Sequence, residues 1–199
     1  MPSKKRRSKG MWVLRAEKAI QFKVALKYIR PPIWRRLVLP DNSTLGDLHF
    51  VVQIAMGWQD CHMHAFHLGD VYYTSQQASE NGEMKMENEE TVFLSRVAIR
   101  PKQKLIYEYD FGDSWLHDIV VEKMLPFDPR AKYPMCLGGA RACPPEDCGS
   151  FPGYMSVLAA LRAPKKTEEQ KELLEWLGDG YDPEYFDLDT VNRRLAGKR

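Results

Sequence analysis

Residues 21–29 alternate in polarity, with Phe22, Val24, Leu26 and Tyr28 on one side and Gln21, Lys23 and Lys27 on the other. A period of two puts successive side chains on opposite faces of a sheet, so the segment predicts a half-buried strand. Arg30-Pro31-Pro32 breaks it, because proline brings no N–H to a ladder and restricts the residue before it. Residues 33–39 resume the extended pattern, which predicts a hairpin-like pair. After Pro40, Thr44 followed three residues later by Asp47 offers a reciprocal helix start, and Leu45, Leu48, Val51, Val52 and Ala55 recur at helical spacing up to Gly57. Alternation returns over residues 64–73 around Gly69-Asp70, a two-residue turn whose glycine supplies a positive φ.

The acidic stretch 75–90 has no period and reads as a mobile surface loop. Residues 104–109 and 116–124 are strand-like, joined through Phe111-Gly112-Asp113-Ser114-Trp115. Beyond Pro126 comes a long aperiodic segment with Pro129, Pro134, Pro144, Pro145, Pro152 and three cysteines. A loop of that length in a folded chain needs a staple or a function. The remainder, 152–199, is helical: 154–162, then 167–177 with Thr167 and Gln170 as a capping box, Leu173, Leu174 and Leu177 as its apolar face and Gly178 as its stop, then 189–195. Strand pairs followed by helices predict an α+β fold with a largely antiparallel sheet and helices packed on one side.

Composition agrees with a globular core: of 199 residues, 44% are hydrophobic, 11% aromatic and 28% charged. That length suits one domain over 11–199 behind a basic tail at 1–10. The net charge of +2 misleads, because the tail holds Lys4, Lys5, Arg6, Arg7 and Lys9 and no acid, leaving 24 basic against 27 acidic residues in the body. The body gives no support to broad nucleic-acid coating; binding of that kind must be local, in the tail or a small patch. No apolar stretch follows the basic start and no window suits a membrane span, so a cytoplasmic protein is expected. Four cysteines in such a chain read as thiols that pack, bind metal or react, with disulfides the minority reading.

Four constellations carry candidate chemistry. Cys136, Cys143 and Cys148 fall within thirteen residues, and zinc would suit a loop with little else to hold it. The fourth ligand would come from His117, His64 or a carboxylate; buried structural thiols, or a redox pair of Cys143 with Cys148, explain the same spacing. Asp110, Asp113, His117, Glu146 and Asp147 form a polar set able to hold Mg²⁺ or Mn²⁺, or to act as general acid and base. The plainer alternative gives Asp113 to its turn, His117 to a core carbonyl, and Glu146 and Asp147 to the cap of the next helix. His62 and His64 would share a strand face, with His67 on the other, beside Cys61; of these His64 is the one to keep. Arg30, Arg35 and Arg36 surround Trp34 as in phosphate or single-strand contacts, although alternation sends Arg35 and Arg36 to opposite faces and salt bridges explain them equally well.

Four strings stand out in order. They are Ile29-Arg30-Pro31-Pro32-Ile33-Trp34-Arg35-Arg36, the helix ending Ala55-Met56-Gly57-Trp58, Tyr107 through His117 containing Asp110-Phe111-Gly112-Asp113-Ser114-Trp115, and Ala142-Cys143-Pro144-Pro145-Glu146-Asp147-Cys148-Gly149. Over residues 20–196 the chain resembles the Ri-plasmid ORF-3-like family, also met as TnpR-like passenger proteins of transposable elements. The resemblance implies an α+β, roll-like fold and no secure activity. A resolvase label is set aside, since the sequence carries neither a serine-recombinase nucleophile domain nor a helix-turn-helix. Two functions are carried forward. One is a non-catalytic binding or accessory module, linked to mobile-element DNA, with the cysteine loop as a staple. The other is a metal-dependent hydrolase acting on phosphodiesters through Asp113, His117, Glu146 and Asp147.

Overall fold

The alternating segments satisfy their backbone groups in one eight-stranded sheet. In the computed structural model, which describes residues 15–76 and 86–197, the strands are β1 (Lys18–Leu26), β2 (Trp34–Pro40), β3 (His64–Leu68), β4 (Val71–Thr74), β5 (Met86–Asn88), β6 (Lys104–Tyr109), β7 (Trp115–Pro126) and β8 (Met135–Ala140). Their order is β5-β4-β3-β6-β7-β1-β2-β8. Every pairing is antiparallel except that of β4 with β5. The helices are α1 (Leu45–Met56), a short α2 (Leu94–Val97), α3 (Ser150–Arg162), α4 (Glu168–Leu177) and α5 (Leu188–Ala196). The expected α+β class with a largely antiparallel sheet is the class observed. Among the described residues no helix is long and apolar enough to cross a membrane.

Helix α1 starts on the reciprocal cap: the Asp47 N–H donates to Thr44 Oγ1 at 3.1 Å and the Thr44 N–H to Asp47 Oδ2 at 2.8 Å. It stops at Gly57, whose φ of 98° belongs to the left-handed region that glycine enters at no steric cost. Leu45, Leu48, Val51, Val52 and Ala55 are buried with Phe22, Leu37, Tyr107 and Ile119 in one core, and α1 packs against β2 and α5. Helix α4 has the expected Thr167/Gln170 capping box. Its leucines are less buried than the pattern suggested, because α4 lies on α3 and none of its residues is fully buried.

Two strands fall where loops were expected. β8 runs through the proline-rich segment and pairs with β2, Trp34 opposite Ala140 and Leu37 opposite Cys136. Its Leu-Gly-Gly-Ala sequence hides it, since glycine carries no strand signal. Yet the site demands glycine: a Cβ on Gly139 would lie 2.7 Å from Phe186 Cζ and 2.8 Å from the Trp34 carbonyl oxygen. Part of the stretch read as a mobile loop is β5 and a turn of 3-10 helix (Glu89–Thr91), with Glu89 only 2% exposed. Residues 77–85 of that stretch, and the basic tail at 1–10, lie outside the described residues.

The first turn of α3 is equally intolerant. A Cβ on Gly153 would sit 1.7 Å from the Cys148 carbonyl oxygen, a backbone atom that cannot swing aside. Gly153→Ala is therefore expected to cost about 2 kcal/mol, the scale of a forced backbone shift in a packed site, read as a lowered urea midpoint at unchanged slope.

A candidate cation cluster beside an aromatic pocket

Register brings the chemistry to one end of the sheet's centre. His64 lies opposite Tyr109, and Tyr109 opposite Trp115, so the loop before β3 and the turn after β6 are neighbours. Asp110 follows β6 with a φ of 58°. Its N–H donates to the Met63 carbonyl at 2.9 Å and its Oδ1 accepts from the Gly112 N–H at 2.9 Å. The β6–β7 turn also latches the cysteine loop: Asp113 Oδ2 accepts from the Gly149 N–H at 3.2 Å, and the Asp113 carbonyl from the Ser150 hydroxyl at 2.6 Å. Glu146 Oε1 accepts from the Gln59 N–H at 2.7 Å and from the Tyr109 hydroxyl at 3.0 Å. Burial pushes the Tyr109 phenol well above its ordinary pKa, which keeps it a donor.

These latches deliver three carboxylates to one imidazole nitrogen. His62 Nε2 lies 3.2 Å from Asp147 Oδ1, 3.8 Å from Asp110 Oδ2 and 3.9 Å from Glu146 Oε2. Asp110, Glu146 and Asp147 of the expected polar set therefore do converge, and Asp113 serves as the latch beside them. The histidine is His62, which sequence pattern had ranked below His64 and His117.

His117 takes no part in this cluster, which corrects its assignment both to the carboxylates and to the cysteines. It faces the core from β7 with no exposure, donates from Nδ1 to the Tyr107 carbonyl at 3.3 Å, and packs edge-on to Trp58. Burial lowers its pKa to about 4. Cys136 donates from Sγ to the Gly138 carbonyl at 3.4 Å. Among the described residues, Cys136, Cys143, Cys148 and His117 do not come within ligand distance as a group, and all four cysteines are free thiols. Burial pushes the Cys148 thiol up to about 12 and those of Cys136 and Cys143 upward as well, the opposite of what nucleophilic attack requires.

The arginines also separate. Arg35 is 2% exposed and points inward, which removes it from any phosphate-facing patch. Arg36 points outward, pairs with Glu122 at 2.6 Å and 2.9 Å, and stacks on Trp34. Arg30 is exposed in a loop whose Arg30–Pro31 peptide is cis.

A second polar network lies inside. The rings of His49 and His64 stack at 3.4 Å with an interplanar angle of 7°. His49 meets the Tyr107 hydroxyl at 2.8 Å through Nδ1 and Asp60 at 2.9 Å through Nε2, while His64 Nε2 lies 2.9 Å and 3.0 Å from the Glu89 oxygens. Gln53 donates to the same Tyr107 hydroxyl at 2.7 Å. The apolar periodicity of α1 does not single out His49. Its signal was Gln53 four residues on, a second polar side chain on a buried stripe.

Next to the cluster opens a pocket of about 420 Å³ between the end of α1, the cysteine loop and residues 181–194. Trp58, Tyr181, Tyr185 and Phe186 supply its rings, and Arg35, Arg194, Asp187, Thr190 and Gln59 line it with polar groups. Glu146 belongs both to this pocket and to the carboxylate cluster.

Residues 18–190 match the model of a family described as plasmid pRiA4b ORF-3-like protein. Protein y4hQ of Sinorhizobium fredii, described as uncharacterised, is 34% identical over 177 residues, covering 88% of this chain and 90% of the relative. The crystal structure of MM3350 from Methanosarcina mazei Go1, titled a protein of unknown function, superposes with a TM-score of 0.79 at 35% identity over 89% of this chain and 99% of that one. The cluster residues His62, Asp110, Glu146 and Asp147 and the pocket lining up to Thr190 lie within the matched span, and the chain belongs to the plasmid pRiA4b ORF-3-like family.

Proposed function

We propose that this protein is a non-catalytic binding module whose ligand is a small planar molecule carrying an anionic group, taken into the aromatic pocket. The observation that carries the reading is the pocket itself: its volume of about 420 Å³ falls in the range of small-molecule sites. Its walls are rings that can stack on a flat body, and among the described residues no hydrogen bond or ion pair engages the Arg194 guanidinium at its edge. A nucleic-acid role would have to rest on Arg30 and on the tail, because Arg35 is buried and Arg36 is paired.

The reading is tested with a panel of planar aromatic carboxylates and nucleoside monophosphates, added with chelator present and followed by amide and indole NMR shifts. Saturable shifts at Trp58, Ala142 and Phe186 are expected. Arg194→Ala should weaken binding about tenfold, the worth of one charge-assisted hydrogen bond at the low end of its range. A panel that leaves those signals unmoved, or moves them equally in the variant, removes the pocket reading. Turnover of a phosphodiester in the presence of Mn²⁺ would instead favour the hydrolase.

A further inference from the structure

We infer that His62, Asp110, Glu146 and Asp147 form a binding site for a divalent first-row transition cation, Zn²⁺ or Mn²⁺. This goes beyond pocket binding and does not depend on it. A cation bonded at about 2.1 Å sets its donor atoms roughly 3.0–3.6 Å apart. The separations from His62 Nε2 of 3.2, 3.8 and 3.9 Å lie at or just above that range, and small rotations of the carboxylates bring them within it. His62, Asp110 and Asp147 place one donor atom each within 4.8 Å of one another, and so do Cys61, His62 and Glu146.

Proximity of acids alone would not make a site. The independent observation is that two of the converging atoms lack the partners they need. Glu146 has a side chain only 10% exposed, and its Oε2 has no hydrogen-bond partner. His62 Nε2 is likewise shielded from water and makes no aligned hydrogen bond, although Asp147 Oδ1 lies 3.2 Å away and two further carboxylates approach it. A histidine held merely as an ion pair would direct its N–H along one of those approaches. Here Nε2 and Oε2 stand 3.9 Å apart with neither bonding the other, the relation of two donors to a common ion. Three carboxylates around one imidazole also crowd like charge in a half-buried place, and a dication relieves that repulsion.

The donor set selects the ion. Imidazole nitrogen favours Zn²⁺ and its transition-metal neighbours over Mg²⁺ or Ca²⁺, while three carboxylates suit Mn²⁺ as well as Zn²⁺. The outer shell is built too: Glu146 is held by the Gln59 amide and the Tyr109 hydroxyl, and Asp110 by the Gly112 amide. The buried cysteines are not required, although Cys61 stands close enough to contribute one sulfur.

The full-length chain, stripped with chelator and then dialysed, is titrated calorimetrically with Zn²⁺ and separately with Mn²⁺. The expected result is one ion per chain at micromolar or tighter Kd for at least one of the two. His62→Ala and Glu146→Gln should each weaken it at least tenfold, and Cys148→Ser should change it less than twofold. His62 is 26% exposed and its replacement leaves the core intact, which circular dichroism verifies. X-ray absorption on the zinc-loaded wild-type protein gives the same answer without any variant: a shell of nitrogen and oxygen at about 2.0–2.1 Å with at most one sulfur near 2.3 Å. Absence of saturable binding, undiminished binding in the His62→Ala, Glu146→Gln double variant, or a shell of two or more sulfurs overturns the site.

Discussion

Arg35→Ala is expected to lower stability by on the order of 4 kcal/mol, enough to leave a chain of ordinary stability largely unfolded on mild heating. The guanidinium is closed off from solvent and spends its fork on backbone carbonyls. Nε donates to Ala55 at 2.6 Å, Nη1 to Trp34 at 2.8 Å and Ala140 at 2.9 Å, and Nη2 to Arg141 at 2.8 Å. One side chain thus ties the last turn of α1, strand β2 and the end of β8 where the cysteine loop begins. Its face rests on the Phe186 ring, 4.4 Å from the centroid. Burial pulls its pKa below the ordinary value, but arginine remains charged at any working pH. Alanine would leave up to four acceptors buried without donors, each costing about 1–3 kcal/mol before relaxation. Lysine cannot reproduce the fork and should recover only part of the loss. Urea denaturation of both variants checks this; a loss below 1 kcal/mol for Arg35→Ala would show that the carbonyls find water.

Acid should unfold the protein well above the pH at which its carboxylates titrate. His49 and His117 both have pKa values near 4 in the fold, each lowered first by burial, from 6.5 in the free side chain. Around His49 stand His64, which disfavours a proton on it, and Asp60 and Glu89, which favour one. His117 faces the Tyr107 and Trp115 backbone, with Arg35 the charge opposing its protonation. Above pH 6.5 neither state holds these protons and stability is flat on their account. Between 6.5 and 4 the unfolded chain takes them up and the folded chain does not, so stability falls as pH falls, by roughly 3 kcal/mol for each histidine. Urea midpoints measured from pH 7.5 to 4.5 should decline with a steepness approaching two protons. His117→Leu should halve that steepness whatever it does to stability at pH 7. A profile flat down to pH 5 would mean that both rings gain protons within the fold.

Local signals were legible where local physics decides. β6 occupies the residues its alternation marked, Lys104–Tyr109, and the caps at Thr44 and Thr167 form as their sequences dictate. Alternation also sent Arg35 and Arg36 to opposite faces, and they lie there. What escaped was whatever depends on elements distant in sequence. His62 precedes β3, so the strand rule pairing it with His64 does not reach it. Its partnership with Glu146 and Asp147 is set by the Asp113 latch to Gly149, across 36 positions of chain. β8 escaped because its glycines answer to Phe186 and Trp34 rather than to strand propensity. The cysteine spacing suggested a ligand set, but Cys136 is fixed on β8 opposite Leu37, and among the described residues the three thiols do not meet as a group.

The arrangement of the longest strands bears on when the molecule can fold. β1 and β7 are neighbours at the centre of the sheet, with Lys18 opposite Pro126 and Leu26 opposite His117. The first strand made therefore finds its central partner only after about a hundred further residues exist, and contacts so remote in sequence make for slow closure. Until then β1 has only β2, and an isolated hairpin is marginal in water. During synthesis the β1–β2 hairpin must wait for β7 before the sheet can close over it, and in that interval it is in need of protection.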